Sequence, residues 1–495
     1  MFRIFRALCS STLIGLVACS PTANQSANSA GCGAVPATRM DVQSSSLPSA
    51  PPSSSTIPAA TAANREPAGP IRHVWVVTID GMLPETYTDP DAHGLQIPML
   101  RHLAKDGAAS DGALSVFPSL TYPAHTSIAS GVRPARHGIV SNQAHDPLDL
   151  NHGAWRWYAS EVKVPRIWDV AYTHGYRTAL LDWPVTVGAR ATYHVPEFWR
   201  SRTDEDLKLI RALSTPPNLI DLAAATHPHF LEGFHPQDVS DEAGVDLVET
   251  VMALGAPHLL FLHIWQVDAA QHHFGLWSPE ALHAIENADH QVERLWSSIE
   301  HAGLAPDSAL VVASDHGFAN IDHAVKPGAL LQQAGLVKLD AKGKVTDFDA
   351  SLLANHGSAF VYLDKDADAA LQERTLASFQ HAAGAPHPAI GRIVRQPQIT
   401  EMGGDPNAFL ALIAATGTTF VAGYDKFETA PPYRATHGYD PEEPAMRASL
   451  ILFGPQLPKG KLVDARLIDV APTIAEWLDL PLPDVEGSPL RVAPR

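Results

Sequence analysis

The chain has 495 residues, of which 45% are hydrophobic and 18% charged, enough apolar material for a large core or for more than one ordinary domain. Its formal net charge of −18 argues against nonspecific nucleic-acid binding, because only a local patch would offset phosphate repulsion. An acidic chain that handles phosphate must supply positive charge locally, as metal ions do, and its 25 histidines point the same way.

The opening stretch MFRIFRALCSSTLIGLVACS places two arginines before an apolar run and a small-residue site. That is the layout of a secretory signal, too short to span a bilayer. Leu16–Cys19 resembles a bacterial lipobox, which implies a lipoprotein-type signal peptide over 1–19 and lipid on the sulfur of Cys19. Cys9 would leave with the signal, so Cys32 is left alone and the fold is expected to need no disulfide. Residues 20–70, rich in Ser, Ala, Pro and Thr, read as a disordered tether. Ser20 after the lipidated cysteine implies, by the same resemblance, an exported protein anchored to the outer membrane and facing the periplasm. Membrane contact is expected through that anchor only, since no later stretch has the length of a spanning helix.

From residue 71 to 495, strand patterns alternate with helical ones, which predicts an α/β domain with a mostly parallel central sheet flanked by helices. VWVVTIDG predicts a buried strand ending at Asp80, and IPMLRHLAKDG a helix stopped by Gly107. In FPSLTYPAHTSIASGVRPARHGIVSN, Thr121 is placed just before a short helix, where its hydroxyl would either cap the helix or sit in the field that favours an oxyanion. VKVPRIWDVAYTHGY and TALLDWP predict a helix and a strand, and residues 190–245 read as irregular and aromatic in places. LLFLHIWQVD predicts a second strand ending at Asp268, with His272 four residues on and His273 a bystander. PEALHAIENADHQVERLWSSIEHAG reads as an amphipathic helix with His283, His290 and His301 on its surface.

ALVVASDHG predicts a third strand carrying Asp315 and His316, which would serve one metal or point to different sides. Residues 320–435 lose the alternation and suggest a small α+β insertion, in which His356 is a candidate for a supporting role. His437 precedes a last strand, and RLIDVAPTIAEWLDLPLP predicts a closing helix.

Ligands bind at the carboxyl edge of an open parallel sheet, so acids delivered there with histidines read as a metal site. Asp80, Asp268, Asp315, His272, His316 and His437 are carboxylate and imidazole donors without thiolates, which suits zinc. Six donors exceed one tetrahedral ion and are natural for two, and a metal pair suits in-line displacement at phosphorus with Thr121 as nucleophile.

At these motifs the chain resembles the type I phosphodiesterase/nucleotide pyrophosphatase family, within the alkaline phosphatase superfamily, over residues 71–480. The resemblance implies an alkaline-phosphatase-like fold and a metal-dependent hydrolase of nucleotide-type phosphodiesters or pyrophosphates, working through a phosphoryl-threonine. It implies one Zn2+ on Asp80, Thr121, Asp315 and His316, and another on Asp268, His272 and His437. It further implies that Asn142 donates to a phosphoryl oxygen and that Tyr122 stacks on a nucleobase, while Trp183 and Pro184 match a family WP segment. The chain departs from the family with Gln271 where Gly is usual, and with Ala124 and Ser141 beside the pocket. Neutral Asn142 suits a singly charged diester better than a monoester dianion. The competing readings are a phosphomonoesterase or phosphonate hydrolase on the same scaffold, and a non-catalytic metal-binding envelope lipoprotein. The expected partner is a small-molecule substrate, with no stable nucleic-acid binding.

Overall fold

The computed structural model describes residues 65–494, apart from 154, 202, 236–237 and 385–387. The expected signal, Cys19 and the tether up to residue 64 lie outside the described residues. The principal sheet begins with β1 (His73–Ile79), β2 (Ala108–Ala109), β3 (Thr178–Trp183), β4 (Tyr193–Pro196), β5 (Leu259–Ile264) and β6 (Ser308–Ala313). A second sheet follows in sequence, made of β7 (Ala350–Asn355), β8 (Ser358–Leu363), β9 (Ile390–Arg395) and β10 (Leu410–Ala414). The principal sheet then resumes with β11 (Leu450–Phe453), β12 (Gly460–Leu462) and β13 (Val492–Ala493).

In space the principal sheet runs β13-β12-β2-β11-β6-β1-β5-β3-β4. Its centre is parallel: β1 pairs with both β5 and β6, and β3 pairs with β5 and β4. Ile79 lies opposite Ile264 and Thr78 opposite Ala313, so β5, β1 and β6 finish almost level at one edge. Every residue of β1 is buried, as a strand covered on both faces requires. Val74 and Val76 pack on one side with Leu180, Phe261, Ile128 and Ile474, while Trp75, Val77 and Ile79 pack on the other with Leu262, Ile285 and Val292.

The helices used below are α1 (Pro98–Asp106), α2 (Thr121–Ser130), α3 (Ile167–Thr173), α4 (Asp241–Gly255), α5 (Gln266–Phe274), α6 (Pro279–His301), α7 (Ala369–Ala383) and α8 (Val470–Trp477). His283, His290 and His301 lie exposed on α6, as its period implies. Among the described residues no helix is long and apolar enough to cross a membrane.

Two expectations need correction. The strand expected to end at Asp268 stops at Ile264, and Asp268 stands in the first turn of α5. Residues 190–245, expected to be irregular, contain β4, helices at Asp204–Leu213 and Leu219–Thr226, and the start of α4. The first of these helices is capped by Thr203, whose side chain accepts from the Glu205 N–H, and carries acids in its first turn where the dipole favours them.

The second sheet is antiparallel, in the order β7-β8-β10-β9, and the tip of its β7–β8 hairpin reaches the principal sheet's edge. There the Gly357 N–H donates to the His437 carbonyl at 2.9 Å. Gly438 has φ +88, and a Cβ on it would lie 2.2 Å from the Asn355 carbonyl oxygen. Gly343 has φ +79 but nothing within 4 Å of such a Cβ. Gly343→Ala should therefore cost only the left-handed backbone, about 1–2 kcal/mol. Gly438→Ala should cost clearly more in denaturant unfolding, since the hairpin must also move; equal costs would show that this contact is not tight.

Candidate active site

The three level strand ends deliver their acids to one place. Asp80 follows β1 directly, Asp315 and His316 follow β6, and Asp268 and His272 share one face of α5 at four-residue spacing. Asp80, Asp315 and His316 have donor atoms within 4.8 Å of one another, and so do Asp268, His316 and His437. His272 joins the second set, its Nε2 lying 3.5 Å from Asp268 Oδ1, with His437 Nε2 at 3.7 Å from the same oxygen. His316 Nε2 lies 3.1 Å from Asp315 Oδ2 and 3.5 Å from Asp80 Oδ1. The six expected donors thus form one largely buried group with His316 at its centre.

All three histidines are oriented alike. Nδ1 of His272 donates to the Ala435 carbonyl at 2.9 Å, Nδ1 of His437 to that of Ser119 at 2.9 Å, and Nδ1 of His316 to that of Gly317 at 3.1 Å. A carbonyl accepts only, so each Nδ1 carries the proton and each neutral ring presents the Nε2 lone pair to the carboxylates. Burial, aided by neighbouring imidazoles, pushes His437 and His272 well below the usual histidine range and keeps them neutral. Burial, with the charges of Asp315 and Asp268, pushes Asp80 well above the usual carboxylate range; burial and Asp315 do the same to Asp268. Asp80 Oδ1, Asp268 Oδ1, Asp315 Oδ2 and His316 Nε2 are buried without a hydrogen-bond partner. Lone pairs facing lone pairs are costly by themselves, and divalent cations would satisfy them all. The donor set therefore fits metal.

Thr121 is tied to both halves of this group. His125 Nδ1 donates to the Thr121 carbonyl at 2.8 Å and lies 3.7 Å from Asp315 Oδ2, while the Ser119 carbonyl holds His437. Thr121 is the first residue of α2, with Leu120 at the cap position and no side-chain cap, so its hydroxyl does not serve as the helix cap. Thr121 is partly exposed whereas the rest of α2 is buried. The Asn142 Oδ1 accepts from the Tyr122 N–H at 2.9 Å, which leaves the amide Nδ2 as a donor.

Tyr122 is not available to a base. Its side chain is 0% exposed, its hydroxyl donates to Glu197 Oε1 at 3.1 Å, and the indole of Trp155 lies edge-on at 5.2 Å. Consecutive helical residues point about 100° apart, so with Thr121 on the partly exposed side Tyr122 turns into the core. The expectation of a stacking Tyr122 is corrected accordingly. Trp183 is likewise buried, against His125 and Phe261.

The sequence reading passed over several residues that hold the group in place. His263, the one polar residue of LLFLHI, donates from Nε2 to Asp80 Oδ2 at 3.0 Å. A histidine inside an otherwise apolar strand was the available signal. The Gly81 N–H donates to Asp315 Oδ1 at 3.1 Å. Gln271 is buried and donates from Nε2 to the Gly81 carbonyl at 2.8 Å, so this departure from the family pattern ties α5 to the turn after β1. His273 is exposed.

Comparison with known proteins places the chain in a family. The family model described as type I phosphodiesterase / nucleotide pyrophosphatase matches residues 74–440. Human ectonucleotide pyrophosphatase/phosphodiesterase family member 7 is 24% identical over 232 residues, 46% of this chain and 44% of its own length. A bovine bis(5'-adenosyl)-triphosphatase is 23% identical over 408 residues, 78% of this chain and 74% of its own. The match thus spans less than half the length of the human relative. Among solved structures, human ectonucleotide pyrophosphatase/phosphodiesterase 5 superposes with a TM-score of 0.58 at 18% identity, covering 84% of this chain and 97% of that one. An inactive murine form of the same protein, in complex with AMP, gives 0.55 at 19% identity, again with 84% and 97% covered.

Chelation should lower the melting temperature, because a metal present at about a thousand times its dissociation constant stabilises by about 4 kcal/mol. Asp80→Asn should act in opposite directions. In chelator it removes a carboxyl whose ionisation is opposed by burial and by the Asp315 and Asp268 charges, and should raise the melting temperature; with metal it should lower it. Thermal unfolding of both proteins under both conditions decides this, and a fall in chelator would mean that Asp80 is not held against like charge.

Proposed function

Because the chain belongs to the type I phosphodiesterase/nucleotide pyrophosphatase family, we propose that it hydrolyses nucleotide-type phosphodiesters or pyrophosphates with Thr121 as nucleophile and two zinc ions as cofactors. One observation carries this reading: three proton-fixed histidines and three carboxylates turn unpartnered lone pairs toward one another beside the Thr121 turn. Asp80, Asp315 and His316 would hold one ion and Asp268, His272 and His437 the other. Bound there, the ions would supply positive charge that lowers the pKa of a hydroxyl and offsets charge on phosphoryl oxygens.

The chain's own residues do the rest. The Thr121 Oγ attacks phosphorus as the ester or anhydride oxygen opposite it departs and takes up a proton. Water then attacks the phosphoryl-threonine, breaks its bond to Oγ and restores the hydroxyl. His125 keeps the turn in place by donating to the Thr121 carbonyl while accepting from the Thr78 hydroxyl at 2.8 Å. The Asn142 Nδ2 donates to a phosphoryl oxygen, its orientation set by the Tyr122 N–H.

Asn142 also favours a diester. Arg133, near in sequence and a cation that would suit a monoester dianion, lies beyond the far end of α2 and is engaged with Glu486 and the Glu401 carbonyl. Export and lipid anchoring at Cys19 belong to the same proposal and rest on the amino-terminal motif alone. The AMP bound by the murine neighbour supports a nucleotide substrate without identifying it.

The test compares kcat/KM for a nitrophenyl nucleotide diester, a plain aryl diester and an aryl monoester, with zinc and after chelation. A chelator-sensitive preference for the nucleotide diester is expected, and preference for the monoester would overturn the reading of Asn142. Thr121→Ala should abolish turnover while zinc content stays at that of the unaltered protein. Asn142→Ala should cost about 10²-fold in rate; an unchanged rate would withdraw its role.

A further inference from the structure

The open side of the metal-binding group carries two polar aromatic side chains that the reading above leaves unused, His356 and Tyr433. His356 lies in the two-residue turn between β7 and β8, where Asn355 pairs with Ser358. The turn is clamped on both flanks: the His356 carbonyl accepts from the Phe420 N–H at 2.7 Å, and the Gly357 N–H donates to the His437 carbonyl. A backbone so fixed aims the side chain. The His356 ring lies 5.4 Å from that of His437 and 5.8 Å from that of His272. The Tyr433 ring lies 4.5 Å from His272 and 6.0 Å from His356.

This is the accessible side of the group. The Asp268 and His272 side chains are 17% and 12% exposed, whereas those of Asp315 and His316 are 0%. His356 and Tyr433 are themselves partly exposed. Among the described residues neither side chain makes a hydrogen bond, and His356 does not share the pattern of the other three histidines, whose Nδ1 is fixed by a carbonyl. It also stands outside both sets of converging donor atoms. Its φ of +57 is a conformation that glycine adopts freely and histidine only at a cost. An imidazole N–H and a phenol O–H thus overhang the Asp268 side with no partner of their own.

We propose that His356 and Tyr433 bind the departing group of the substrate, each donating a hydrogen bond to its oxygen. The inference rests on the proposed reaction: with Thr121 attacking from the Asp80–Asp315 side, the in-line departing oxygen lies over Asp268 and His272. Both donors are uncharged, which matches an oxygen of alcohol type, whose charge concentrates on one atom as the bond to phosphorus breaks. Such contacts matter most when the departing group cannot spread that charge itself.

The experiment uses two nucleotide diesters, one losing nitrophenolate and one losing a simple alkyl alcohol. His356→Gly removes the ring without backbone strain, His356→Asn retains an N–H donor and tolerates the left-handed turn, and Tyr433→Phe removes one hydroxyl. His356→Gly and Tyr433→Phe should each lower kcat/KM for the alkyl ester by about 10²-fold, the usual size of a lost transition-state donor. The nitrophenyl ester should lose severalfold less, and His356→Asn should recover part of the alkyl rate. Zinc per chain and melting temperature should match the unaltered protein. Equal losses on both esters, or lost zinc, would overturn the proposal by making these residues structural or metal-binding. If the unaltered protein cleaves neither ester, the proposed function itself fails; if it cleaves both and the variants match it, only this inference does.

Discussion

The structure depends on an electrostatic conflict placed deliberately by topology. Three adjacent parallel strands finish level, and each is followed within a few residues by a buried carboxylate. Such groups are ordinarily driven apart or given donors, because an unpaired buried charge is costly. Here the donors go to the outer oxygens only. His263 takes Asp80 Oδ2 and the Gly81 N–H takes Asp315 Oδ1, while the oxygens facing inward stay free. The same division holds for the imidazoles, with Nδ1 bound outward and Nε2 left inward. Every supporting hydrogen bond leaves the centre poorer in protons, which is the condition for holding a cation.

The two sheets contribute different things to this centre. The parallel sheet supplies position, since its register fixes where β1, β5 and β6 end and α5 then turns Asp268 and His272 onto one face. The antiparallel sheet supplies closure. Its β7–β8 hairpin grips the backbone at His437 and Gly438, and His437 grips Ser119 just before the helix that begins at Thr121. A shift in the hairpin is therefore transmitted to Thr121 through two hydrogen bonds and one turn of chain, while the Asp80 side, buried in the main core, would stay put.

The readable parts of the sequence were those governed by local pattern. Strands such as VWVVTI are uniformly apolar because both faces are covered, and the acids after them stand out against that background. The long α6 declared itself by its period. The failures came where tertiary contacts decide. LLFLHIWQVD reads as one apolar run to Asp268, yet Trp265 and Gln266 donate their N–H groups to Asp241 Oδ1, an acid some 25 residues earlier that receives the chain as α5 begins. No spacing within the run announces that partner. His263 stands out as the one polar residue of its strand, but nothing local names the carboxylate it meets 183 residues away.

Tyr122 shows how a motif read as a line differs from one folded on a helix. In the sequence, Thr121 and Tyr122 are neighbours and equally plausible as site residues. On α2 they diverge by the angle between successive residues, and the residue that shares the Thr121 side is four positions on, at His125. The helix start thus sorts its first turn by direction: Thr121 on the partly exposed side, an imidazole bonded to its carbonyl, and an aromatic ring driven inward to Glu197. Burying that ring fixes the helix axis, and fixing the axis aims the hydroxyl. Tyr122 therefore acts on the site through the position of Thr121, and the aromatic surface left partly exposed beside it belongs to Trp155, which covers the Tyr122 ring edge-on.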